Sequence, residues 1–270
     1  MSKIKIACET YTWQMPGEGY KSKLDHIMGV MNVAGFTGIE PETSFFHDLS
    51  DPIKMKEILD KHQLELTALC HVEDWRGKKE TKTEKANAEK WMDFLAYFPE
   101  TIYLLVQMPG NDRSDLHERQ TNLLSCVNDI AERAVDRGIF CSNHPNSPEG
   151  SVYRTEEDYK ILLNGLSKNI GYTPDVGHIA KGGMDPLSIV KEYREKVNLV
   201  HYKDMYKDGR WAPTGEGAID FDSITKYLID TNYEGWIVME DECDEAITNP
   251  DGVTMEDGKF IDANIRSILK

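Results

Sequence analysis

The chain has 270 residues, 40% of them apolar and 9% aromatic, enough to bury a large core, so a disordered polymer is excluded. Lysine and arginine number 31 against 47 aspartates and glutamates, a formal net charge of −16 at pH 7. A field of that sign repels phosphate backbones and argues against generic binding of DNA or RNA.

The longest apolar runs, such as 102–106, fall far short of the roughly 20 residues a membrane-spanning helix requires. The opening Met1-Ser2-Lys3-Ile4-Lys5-Ile6-Ala7-Cys8 is too charged, and its apolar part too short, for a signal peptide; it reads as a buried first strand of a cytoplasmic protein. The five cysteines, at 8, 70, 126, 141 and 243, form no C-x-x-C pair and are odd in number, which suits reduced, buried thiols.

In chain order, short β-type runs alternate with stretches of helical spacing. A strand over 3–9 is followed by Leu24, Ile27, Met28, Met31 and Val33, spaced as one buried helix face, and then by a strand ending Gly35-Phe36-Thr37-Gly38-Ile39-Glu40. Helices are predicted at 53–62, around 86–97, and at 116–136, 156–166, 186–193, 221–230 and 261–269; the strands between them fall at 64–70, 102–107, 139–143, 170–174, 197–201 and 235–240. Eight strands alternating with eight helices favour a parallel sheet. With no G-x-G-x-x-G turn after any strand and a length near the ~250 residues of one (β/α)₈ barrel, a single closed barrel over 1–270 is expected. Two charged segments, 73–90 and 241–260, follow strands and so belong to the catalytic face, as lids or as solvated loops. The second alone contributes −6, from seven acids and one lysine.

In such a barrel the reactive groups come from the C-terminal ends of strands. The late strands end Asn143-His144-Pro145-Asn146, Pro174-Asp175-Val176-Gly177-His178, His201-Tyr202-Lys203-Asp204 and Met239-Glu240-Asp241-Glu242. His144, Asp175, His201 and Glu240 therefore converge, and such a set without thiolates suits a borderline or hard divalent ion: Mn²⁺ first, with Co²⁺, Zn²⁺ and Mg²⁺ as alternatives. Tyr11, Trp13, Glu40, His71, Gln107, Asn146 and Glu216 sit at strand ends or in loops where hydroxyl groups could be recognised. Arg113, Arg119 and Arg154 could meet a phosphate, but no phosphate-cradling motif accompanies them, which favours an unphosphorylated substrate.

The elements Asp175-Val-Gly-His178, His201-Tyr-Lys-Asp204, Gly215-Glu216-Gly217-Ala-Ile-Asp220-Phe221 and Glu240, with the early Gly35–Glu40 segment, resemble the xylose-isomerase-like superfamily of sugar isomerases, epimerases and inosose dehydratases across essentially the whole chain. The resemblance implies a divalent metal on groups matching Asp175, His201 and Glu240, with substrate contact at His178. Ketose epimerases of that family carry Glu-Pro where this chain has His144-Pro145, which puts a two-glutamate proton relay in doubt. An imidazole there is more similar to inosose dehydratases, or to the metal subunits that split 3-oxo-C-glycosides. The implied chemistry is chelation of a keto-sugar or keto-inositol, removal of the α-proton, an enediolate, and departure of a β-substituent. His144 or Lys203 is the candidate base, with His144 alternatively a fourth ligand, and His178 orients substrate or protonates the leaving group. An isomerase or epimerase using the same enediolate is the alternative. An abasic-site endonuclease is disfavoured by the charge, and a partner-dependent subunit is a third class. By resemblance a homo-oligomer is expected, with a small second subunit in the partner-dependent case.

Overall fold

The computed structural model describes residues 3–269. Strands β1 (Lys5–Glu9), β2 (Gly38–Glu40), β3 (Glu65–Leu66), β4 (Ala68–Glu73), β5 (Ile102–Gln107), β6 (Cys141–His144), β7 (Ile170–Tyr172) and β8 (Val200–Tyr202) run parallel around a barrel. A short antiparallel hairpin of β9 (Asp204–Met205) and β10 (Trp211–Ala212) intervenes before the last barrel strand, β11 (Trp236–Met239), which pairs with both β1 and β8. The predicted strand 64–70 is in fact two, β3 and β4, divided at Thr67. The Thr67 N–H donates to the Ile39 carbonyl at 2.9 Å and its carbonyl accepts from the Ile102 N–H at 3.1 Å, so one residue passes the ladder from β2 to β5. The opposite seam closes through bridges of Tyr172 with Val197 and Asp175 with His201.

Strand alternation sorts side chains into two layers. Ala7, Ala68, Leu104, Leu199 and Val238 fill the barrel floor, while Ile6, Leu69, Leu105 and Ile237 face the surrounding helices in the larger core. Gly38 is required at the floor, where a Cβ would strike Thr67 and the Trp236 ring.

The helices are α1 (Leu24–Val33), α2 (Pro52–His62), α3 (Lys82–Leu95), α4 (Leu116–Val135), α5 (Glu156–Gly165), α6 (Val176–Lys181), α7 (Pro186–Glu192), α8 (Phe221–Asp230), α9 (Pro250–Phe260) and α10 (Arg266–Leu269). Leu24, Ile27, Met28 and Met31 are buried as the spacing predicts, but Val33, at the end of α1, is 72% exposed. Helix α3 starts before the predicted 86 because Thr81 and Glu84 form a capping box, each side chain bonded to the other's backbone N–H. The segment 73–90 is thereby half helix. Its loop is pinned by fully buried Trp75, whose N–H donates to Glu84 at 2.8 Å, so it is not a free lid.

The second supposed lid is corrected likewise. Its distal half is α9, which buries Val253, Thr254, Asp257 and Gly258, packs on α1, and continues through a π-helical turn (Ile261–Ile265) into α10. The final helix thus begins at 250, not at 261. All five cysteines are buried and unpaired. No helix among the described residues is long and apolar enough to cross a membrane.

Candidate metal centre and active site

Four strand ends build the centre. His144 closes β6, Asp175 follows β7, His201 lies in β8 and Glu240 follows β11, and all four are at most 6% exposed. One donor atom from each lies within 4.8 Å of the other three. Local sequence fixes each position. Asp175 is the N-cap of α6, its Oδ1 accepting the His178 N–H at 2.6 Å, which leaves Oδ2 directed into the barrel. Gly177 lets α6 close on the strand end, since a Cβ there would stand 2.8 Å from the Lys203 carbonyl. The Gly215-Glu216-Gly217 turn wraps the Asp204 carboxylate, which accepts N–H bonds from Gly215 and Gly217 at 2.9 Å and from Met205 at 2.8 Å. That holds the chain just after Lys203.

Charge is packed tightly here. Lys203 is fully buried; its Nζ donates to Glu240 Oε1 at 2.5 Å and to Glu242, and lies 3.6 Å from Asp175 Oδ2. Burial disfavours the ammonium, but Glu240, Glu242 and Asp175 outweigh it and raise its pKa well above the ordinary lysine value. A lysine so held favours its charged form, which suits a charge-stabilising role better than the expected role of base. Burial alone would raise the Asp175 and Glu240 carboxyls; Lys203 reverses this and holds both below their usual range. His201 sits between carboxylates, Nδ1 3.2 Å from Glu240 Oε2 and Nε2 3.1 Å from Glu40 Oε2, which overcome its burial and lift its pKa to about 10. His178 behaves oppositely: burial and then Lys203 lower it to about 3, so its imidazole is neutral. Lys203 lies 3.2 Å from its Nε2, and Ser147 Oγ 2.7 Å from its Nδ1, so the ammonium donates to Nε2 and Nδ1–H donates to the hydroxyl.

Both ring nitrogens of His144, together with Asp175 Oδ2 and Glu40 Oε1, are buried without any hydrogen-bond partner. Buried polar atoms are rarely left so, because each unsatisfied group costs about 1–3 kcal/mol. A cation facing His144, Asp175, His201 and Glu240 would supply a partner to His144 and Asp175, and the nitrogen and oxygen donors of the set fit a borderline or hard divalent ion.

Above the centre opens a cavity of about 410 Å³. Tyr11, Glu40, Gln107 and Asn146 line it as expected of substrate-facing residues. Three others do not. Trp13 is fully buried in the core with Nε1–H donating to Asp251 at 2.7 Å; His71 points outward from β4 against Tyr103 and Trp75; Glu216 is exposed and meets Tyr206 at 3.1 Å. Arg113 pairs with Asp158 and Arg119 binds loop carbonyls, so both serve the scaffold. Glu9 was missed. It ends β1, lines the same cavity as Glu240, and burial followed by the Glu240 and Glu40 charges raises its carboxyl well above the usual value. Ser147, Trp211 and Glu242 also line the cavity, the last pushed up to about 7, chiefly by burial.

The fold and this centre define an enzyme of the lyase or isomerase type whose acid and imidazole groups converge at the C-terminal mouth of a (β/α)₈ barrel. The chain belongs to the xylose isomerase-like TIM barrel family, whose model matches residues 31–264. It is 26% identical to an inosose dehydratase of Clostridium perfringens, covering 96% of this chain and 97% of that one, and 24% identical to an inosose dehydratase of Lacticaseibacillus casei, covering 93% of each. Among solved structures it is similar to the IolI protein with a bound zinc atom (TM-score 0.76, 16% identity, 97% of this chain and 99% of that one). A probable 3-DHS dehydratase, AsbF from Bacillus anthracis, has the same TM-score and identity, with 96% and 99% covered.

Proposed function

We propose that this protein is a divalent-metal-dependent dehydratase of cyclic keto-polyols, removing the proton α to a ketone and expelling a β-hydroxyl as water. The observation that carries this is the set of His144, Asp175, His201 and Glu240 donors, within 4.8 Å of one another, among which both His144 ring nitrogens and Asp175 Oδ2 are buried without a hydrogen-bond partner. The inosose dehydratase relatives, matching over nearly the whole chain, support the keto-inositol as substrate. His144, Asp175, His201 and Glu240 would hold the cation, and we take it to be Mn²⁺. When bound there, such a cation would supply Lewis acidity to a substrate carbonyl and offset the negative charge that develops on its oxygen.

The remaining steps fall to the chain itself. His178 is neutral and lines the cavity; its Nε2 takes the α-proton once the Lys203 ammonium bonded to it turns wholly to Glu240 and Glu242. The imidazolium then returns that proton to the departing β-oxygen, so the C–O electron pair leaves with the oxygen as water and no oxidant is consumed. Lys203, charged and held by Glu240 and Glu242, stabilises anionic oxygen nearby. Tyr11, Gln107 and Asn146 bind ring hydroxyls. The enzyme is a cytoplasmic homo-oligomer.

Exchange of the α-proton in D₂O tests this. Purified protein with Mn²⁺ and a keto-inositol should wash deuterium into the α-position and release an enone; chelation should stop both. Full activity in metal-free protein or in His201→Ala would overturn the reading.

A further inference from the structure

The four-donor centre has a neighbour on the β1–β2–β4 side of the barrel. Glu9 and Glu40 are register partners at the ends of β1 and β2, and both line the barrel-mouth cavity together with Cys70 of β4. All three are at most 5% exposed, and one donor atom from each lies within 4.8 Å of the other two. Cys70 is held there by its own backbone, whose N–H donates to the Pro41 carbonyl at 3.1 Å and so ties β4 to the chain just after Glu40. Glu40 joins the two groups. Its Oε2 lies 3.1 Å from His201 Nε2, while Oε1 is buried without a hydrogen-bond partner and is the donor that Glu40 has free.

Carboxylates in register on adjacent strands repel, and burial leaves that repulsion poorly screened. Lys203 makes its ion pairs with Asp175, Glu240 and Glu242, and not with Glu9 or Glu40. Among the described residues, His201 is the one basic side chain within 4.0 Å of that pair, 3.9 Å from Glu9 Oε2 by its Nδ1, and it is already a donor of the four-donor centre. A sulfur beside two carboxylates is also a different donor set from the nitrogen and oxygen donors next to it. Soft thiolate favours zinc over manganese or magnesium. Three protein donors leave a zinc-type ion its fourth position, and here the donors line a cavity from which water or a substrate oxygen can fill it. On binding, the Cys70 S–H bond is exchanged for a sulfur–metal bond and the proton passes to solvent.

We propose that Glu9, Glu40 and Cys70 form a second cation site, which takes a thiophilic divalent ion of the Zn²⁺ type beside the four-donor centre. The site is defined by its own donors and does not depend on which substrate the barrel takes. Glu40, with one oxygen toward each group, links the two.

Co²⁺ is the probe, because its bond to a thiolate gives a charge-transfer band in the near ultraviolet that oxygen and nitrogen donors do not give. The full-length protein, stripped with a chelator and kept reduced, should bind two equivalents of Co²⁺, one of them bringing that band. Cys70→Ala should lose the band and one equivalent while keeping the other. Glu9→Gln should weaken the band-forming equivalent by at least about tenfold, the low end of what losing even an outer-shell partner costs. The wild-type stoichiometry and spectrum read the site even where a variant folds poorly. One equivalent without the band overturns the proposal and leaves the four-donor centre intact, as does a band that survives Cys70→Ala. Binding of no Co²⁺ overturns both.

Discussion

Glu40 Oε2 lies 3.1 Å from His201 Nε2, and both side chains are at most 1% exposed. The other ring nitrogen, Nδ1, is on the Glu240 side. An imidazole that ligates through one nitrogen is normally fixed by a carboxylate on the other, which sets its tautomer and orientation. Glu40 therefore positions His201 as well as lining the cavity. Replacing it with alanine should weaken divalent-metal binding by about 10–100-fold, the usual effect of losing such a partner. Glu40→Gln, which keeps an acceptor oxygen, should lose less. Competition with a chromophoric chelator reads the affinity directly, and unchanged affinity in both variants would refute the role.

The centre was legible because its residues obey one rule, that reactive groups stand at strand ends, and because four late strands supply one each. What the rule leaves open is strand phase. In β4, Cys70 and Val72 face inward, so His71 must face outward, yet the ladder's transfer at Thr67 depends on pairing with two different strands and leaves no local mark of phase. Trp13 failed for a similar reason: it follows a strand end, but a 3-10 turn (Tyr11–Trp13) directs it to Asp251 on α9. Glu9 obeys the same rule at the end of β1, but no imidazole or second motif stands beside it in the sequence to mark it as part of the centre. The Thr81-x-x-Glu84 box, by contrast, was readable as a helix start, and the charges around it hid the signal.

Lys203→Met should strip the counter-charge from Glu240, Glu242 and Asp175. Removing one member of a buried ion cluster typically costs about 3–5 kcal/mol. The metal-free variant should accordingly melt well below wild type. A saturating divalent cation, which restores positive charge beside Glu240 and Asp175, should recover part of the loss. Melting curves with and without Mn²⁺ decide this, and a variant as stable as wild type without metal would contradict the charge balance described.

His178→Asn removes the proposed proton carrier and leaves the four metal donors in place. Exchange of the α-proton should fall by about 100-fold or more, the ordinary contribution of a positioned acid–base group. Metal affinity, measured by the same chelator competition, should change much less. An equal loss of both would assign His178 to the integrity of the centre and not to proton transfer.

Asp158 links pH to stability far from the centre. Its carboxylate accepts the Thr155 and Arg154 N–H groups at 2.9 and 3.1 Å and Arg113 at 2.7 Å. Burial would raise its pKa, but these donors outweigh it and hold the carboxyl below the ordinary aspartate value. A folded-state pKa below the unfolded one, about 3.9, means the stabilisation is fully present above that value and fades as pH falls through the folded pKa. Asp158→Asn should thus cost about 1–3 kcal/mol at pH 7, from the lost cap and charge-assisted bonds. The gap between variant and wild type should narrow as pH falls below about 4, because wild type alone loses a charged partner there. Urea unfolding at pH 7 and pH 3 reads both values, and a gap that stays constant or widens in acid would show that Asp158 is not ionised in the fold.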